Sequence, residues 1–136
     1  MTANLRVLAQ TRLREAGALL AASQWSGAYY LAGYAIECGL KARITRSFGR
    51  YTMPDLTLVK NSYTHDLDAL VGIAQLRGQL TAAQGADPVF AVNWALVKDW
   101  SETSRYETWT DLEARELYRA ITQRGHGVFR WIKANW

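Results

Sequence analysis

Glu37 stands in the middle of the most apolar stretch of this 136-residue chain, Trp25 to Arg50, and it is the first residue whose chemistry needs an explanation. A carboxylate on an apolar helix is costly unless it is paired and hydrogen-bonded. On a 3.6-residue period Tyr30, Tyr34, Glu37 and Lys41 fall in one stripe, so the acid has two tyrosines above it and a lysine one turn below. Far along the chain, the segment from Trp100 to Trp109 gathers Trp100, Arg105, Tyr106 and Trp109 in an expected turn, where aromatic and cationic groups are free to meet a ligand. Two readings of these residues stay open. In one, Glu37, Arg105 and the hydroxyl of Tyr30 or Tyr34 form a buried network that ties the turn onto the apolar helix. In the other, Glu37, Lys41, Tyr34, Trp100, Arg105 and Tyr106 make a nucleotide or RNA pocket, with Arg105 reaching a phosphate as a planar two-pronged donor. Both predict Glu37 close to Arg105.

Other reactive residue types have simpler readings. His65 beside Asp66 could be an acid–base pair, but at a helix start Asp66 favours the helix dipole while His65 caps or packs. Cys38, the single cysteine, sits on an apolar stripe and reads as a buried thiol, not a nucleophile. Neither of the two histidines has a metal-ligand spacing, and no glycine-rich phosphate loop is visible, so no metal or cofactor is expected. Trp94 and Trp131 fall at core spacings.

The elements that position these groups follow from periodicity. Leu5, Ala9, Leu13, Ala16 and Leu20 repeat at helical spacing, opposite Arg6, Gln10, Arg12 and Arg14, which predicts a first helix to about Ser23. A short break leads into the second helix, so the two form an antiparallel αα-hairpin. The second helix fades near Phe48 and Gly49, where Lys41, Arg43, Arg46 and Arg50 complement the negative end of its dipole or bind phosphate. Residues Arg50 to Tyr63 read as a loop or a short turn of helix. Thr64 is the expected N-cap of a short third helix carrying Leu67, Leu70, Val71 and Ala74, and Gly78 and Thr81 to Gly85 loosen the pattern after it. Asp87 and Pro88 start a fourth helix with Phe90, Trp94 and Val97 on one face and Val92, Ala95 and Leu96 flanking it. Thr110 and Glu113 have capping-box spacing and announce a last long helix with Ala114, Leu117, Ile121, Gly125, Val128 and Ile132 buried and a kink or close contact near His126. No strand or repeat is visible. The expected fold is one all-α domain over residues 1–136, an up-and-down bundle of three long helices with shorter ones in the middle.

Composition narrows the functional classes. No apolar run approaches the roughly 20 residues of a membrane span. The arginine-bearing N-terminus lacks an apolar signal core, which makes the cytoplasm the expected location. A net charge of +4 permits an acidic partner without demanding one.

The string AYYLAGYAIECGLKARI at 28–44, HDL at 65–67, WSETSRYE at 100–107 and the closing VFRWIKANW together resemble the HEPN family, the higher eukaryote and prokaryote nucleotide-binding proteins. The resemblance implies a helical bundle that commonly forms a homodimer. It also implies a role as an RNase of toxin–antitoxin and defence systems, as partner of a small nucleotidyltransferase, or as an inactive binding version. RNase members carry an Arg followed by four to six residues and a His, which supply a proton-transfer group and a cation beside the strained phosphate. After Arg105 the required offsets hold Thr110, Asp111 and Leu112, so no histidine answers it. Arg119 and His126 do meet the longest spacing, but in a continuous helix two turns would hold them about 10 Å apart along the axis. The resemblance therefore implies a dimeric, non-catalytic component that binds nucleotide, RNA or a nucleotidyltransferase-like protein. An endoribonuclease using Arg119 and His126 is the alternative, and an interaction module with no nucleic-acid role is a third.

Overall fold

Asn4 opens the first helix, α1 (Leu5–Ala21), by accepting from the backbone N–H of Arg6 at 3.1 Å and Val7 at 3.3 Å. The structure is a computed structural model that describes residues 4–46 and 56–136. After α1 the chain reverses within three residues, with Ser23 in the left-handed region at φ 60° and the Gln24 N–H on the Leu19 carbonyl at 2.8 Å. α2 (Trp25–Arg46) then runs back along α1.

As its two apolar stripes require, α2 is the hub: it touches α1, α4 (Leu67–Ile73), α7 (Asp111–Thr122), α8 (Val128–Asn135) and a 3-10 turn at Glu102–Tyr106. Its Ala and Gly positions let those neighbours come close. A Cβ on Gly33 would lie 2.2 Å from the Trp100 ring, and one on Gly39 would lie 2.5 Å from Ile132 Cγ2. Between the hairpin and the final helices, α3 (Leu56–Asn61), α4, α5 (Arg77–Ala86) and α6 (Pro88–Val97) form the insertion. Phe90, Trp94 and Val97 bury one face of α6, while Val89, Val92 and Leu96 stay exposed. No strand occurs among the described residues, and no helix there is long and apolar enough to cross a membrane.

Several boundaries differ from the sequence expectation. The expected end of the second helix near Phe48 and Gly49 lies outside the described residues. The N-cap of α4 is Asp66, whose carboxylate accepts from the Ala69 N–H at 3.1 Å; Thr64 accepts from the Asp66 N–H at 3.2 Å and so caps the cap. The loosened stretch after Gly78 is the helix α5, because Leu76 and Leu80 bury against the core and outweigh the poor propensity of its glycines. The last long helix is two helices. The run ends at Gln123, which turns out of helical geometry at ψ 129°, Gly125 takes φ 80° in the turn that follows, and α6 holds the break from outside: Asn93 Nδ2 donates to Gln123 Oε1 and to the His126 carbonyl, each at 2.9 Å. The capping box is present, with Thr110 accepting from the Glu113 N–H at 3.2 Å and Glu113 from the Thr110 N–H at 3.0 Å.

Candidate functional site

Glu37 is 2 % exposed, and α2 alone satisfies part of it: Lys41, one turn on, places Nζ 3.2 Å from Oε2. The rest comes from a residue far away in sequence. His65, in the turn that leads into α4, sets Nδ1 3.0 Å from both carboxylate oxygens. Its other nitrogen, Nε2, faces Oε2 of Glu102 at 3.2 Å in the 3-10 turn, and Glu102 Oε1 in turn takes Arg105 at 3.3 Å. The guanidinium of Arg105 lies 4.8 Å over the ring of Tyr106, itself exposed. The result is a single row, Lys41, Glu37, His65, Glu102, Arg105, in which carboxylates alternate with nitrogen bases from the buried face of α2 to the surface.

The buried end of this row fixes the imidazole. A carboxylate on Nδ1 sets the ring orientation and leaves Nε2 as the outward-facing nitrogen. Donation from both nitrogens at once requires the imidazolium form. Beside it is a cleft of about 310 Å³ whose walls include His65, Lys98, Trp100 and Glu102.

The expected direct pair of Glu37 with Arg105 is replaced by this longer row, because His65 occupies the carboxylate that Arg105 was expected to reach. Among the described hydrogen bonds, neither Tyr30 nor Tyr34 reaches Glu37. Tyr34 stands instead beside Cys38; burial pushes its hydroxyl up to about 12 and the Cys38 thiol up to about 11. Trp100 is buried at 2 %, with its ring against Gly33 and 5.8 Å from Tyr30, so it is a core residue with only an edge on the cleft. Trp109 fastens the same segment to α2: its ring stacks on Tyr29 at 3.7 Å, and its backbone N–H donates to Ser26 Oγ at 2.9 Å. The turn is tied to the apolar helix by aromatic rings, and the Glu37, Arg105 and tyrosine-hydroxyl network of the first reading is not among the described contacts.

Arg119 lies on α7, and His126 lies in the turn between α7 and α8. His126 Nδ1 lies 2.6 Å from Asp87 Oδ2, and that contact holds the Asp87 carboxyl below its usual range. Arg119 is exposed on α7, where it lines a shallow groove of about 300 Å³ with Val89, Val92, Leu96 and Glu116, a groove that His126 does not reach. The described residues hold no group of three or more His, Cys, Asp or Glu side chains able to bind a metal ion.

His65 is the site residue that sequence reasoning undervalued. Its neighbour Asp66 was the visible acid, yet Asp66 is spent on capping α4 and Glu37 is the partner. The two signals available were a buried acid needing more than one lysine and a histidine just ahead of a helix. No protein-family model matches this chain, and no curated protein or solved structure does either.

Proposed function

We propose that this chain is a HEPN-type bundle that acts by binding, as a dimeric component of a toxin–antitoxin or nucleotidyltransferase-associated system. Its partner is a nucleotide, RNA or a nucleotidyltransferase-like protein. The motifs in α2, at 65–67 and at 100–107 carry the family reading, and the all-helical bundle around α2 is compatible with it. One observation carries the non-catalytic reading: both histidines and Arg105 are already engaged by carboxylates. His65 stands between Glu37 and Glu102, Arg105 is on Glu102, and His126 is on Asp87. RNA cleavage needs a histidine beside a cation that can meet the phosphorane; His65 has a carboxylate at each ring nitrogen, Arg105 is on Glu102, and His126, on Asp87, does not line the His65 cleft.

Binding places different demands on the same groups. Arg105 is the outermost member of the row and lies flat on the exposed Tyr106, where a phosphate can exchange with Glu102 for the guanidinium. Titration with ATP as the nucleotide probe, at low salt, tests this. The expected result is binding weakened at least tenfold by Arg105→Ala. Equal binding by the variant would move the nucleotide elsewhere, and no binding at all would favour a protein-interaction module.

The endoribonuclease reading has one observation of its own. The row brings His65 and Arg105 to opposite oxygens of one carboxylate, so it supplies a histidine near Arg105 that the linear spacing does not. Arg119 lines a groove that His126 does not, and His126 is on Asp87. Should RNA cleavage occur, this reading assigns it to His65.

A further inference from the structure

The 16 basic and 12 acidic residues of the chain leave a net charge of +4, and four of the cations gather on one surface of the structure. A groove of about 760 Å³ runs between α1 and the α7–α8 pair. Arg14, Arg124, Arg130 and Lys133 line it, and no Asp or Glu does. Four cations therefore share one concave surface with no acid among its lining residues. Among the described residues none of these four cations has a carboxylate partner: Arg14 reaches Thr11 Oγ1 at 3.3 Å, Arg130 reaches the Gly125 carbonyl at 3.4 Å, and Lys133 lies 5.2 Å over Phe129. Elsewhere Arg12, Lys41, Arg77, Arg105 and Arg115 each hold an acid.

We infer that this groove binds the phosphate backbone of a single-stranded nucleic acid, at a surface that shares no lining residue with the His65 cleft. The cations are spread along the groove, one on α1, one in the turn between α7 and α8 and two on α8, so they fit a chain of charges better than one compact anion. Leu13, Tyr118 and Phe129 give the groove apolar and aromatic surface between the charges, on which unpaired bases can lie. A duplex buries its base faces and presents a convex ridge of phosphates, for which a slot of this kind is the wrong shape. The inference rests on charge and shape alone and does not need the HEPN reading.

Fluorescence anisotropy with a labelled mixed-sequence RNA 12-mer tests it, at several salt concentrations. Binding is expected to weaken with salt at a log–log slope of about −3, since each neutralised phosphate of a single strand contributes about −0.7. Arg124→Glu with Arg130→Glu is expected to lower affinity more than tenfold and roughly halve the slope, while Arg77→Glu, outside the groove, changes neither. Arg124 and Arg130 are exposed, so the melting temperature of the double variant should hold; if it does not, Arg14→Ala with Lys133→Ala gives the same reading. The same sequence as a duplex should bind more weakly. No binding at low salt, equal affinity for the duplex, an unchanged slope in the groove variants, or a loss produced by Arg105→Ala instead would each overturn the inference.

Discussion

Cys38 and Tyr34 are neighbours on α2 whose titration reports on how closed the bundle is. With the thiol raised to about 11 and the phenol to about 12 by burial, both are neutral in the native state well above the pH at which the unfolded chain would ionise them. A raised native value means that the stability these groups contribute is complete below their unfolded values, near 9 and 10, and is lost as pH climbs through 11 to 12. Native protein should therefore resist thiol alkylation at pH 8 and react promptly once unfolded, with an alkaline unfolding limb that a Cys38→Ala, Tyr34→Phe variant makes shallower. Glu37 belongs to the same helix but to a different problem. Its stripe and its lysine were legible in the sequence, because both follow from helical period. Its histidine was not, because a contact 28 positions away is set by how α4 docks, which no local spacing encodes. A double-mutant cycle on urea unfolding with Glu37→Gln and His65→Ala should return a coupling of about 1 kcal/mol, as contacting partners in one network do. Additive effects would separate the two residues.

At the level of elements, close approach explains more than propensity does. Gly33 admits the Trp100 ring against the backbone of α2, so Gly33→Ala forces that ring out and should cost about 1–3 kcal/mol by overpacking, measured as a lower urea midpoint with unchanged m-value. The break between α7 and α8 has a similar local logic. A Cβ on Gly127 would lie 2.5 Å from the Ile121 carbonyl, and the contact of Asp87 with His126 latches the turn to α6. Because Asp87 is held below its ordinary 3.8, its stabilising contact is present above that value and lost as pH falls through the lower native one. Asp87→Asn, which keeps a capping oxygen for α6, should flatten the acid limb of an unfolding curve. Sequence made the capping box at Thr110 and the start of α6 at Asp87 and Pro88 plain, since caps are local chemistry. It underread α5 and the division of the last helix, where burial of Leu80 and the latch from Asn93 decide the outcome.

On the scale of the whole molecule, α2 holds an acid in its core and the chain spends its scattered polar residues on reaching it. Lys41, His65, Glu102 and Arg105 come from three segments, and they meet only because the insertion and the 3-10 turn both pack on α2. Four further cations gather at a different surface, the groove beside α8, which shares no lining residue with the His65 cleft, so the two proposed phosphate sites can be tested independently. The proposed binding role would separate this chain from a nuclease by the carboxylate contacts of His65, Arg105 and His126. Incubation of the purified protein with single-stranded and structured RNA, with strand length followed over hours, tests that point most directly. The RNA should stay intact with the wild-type protein and with His65→Ala and His126→Ala alike; cleavage by the wild type that either substitution abolishes would contradict the account.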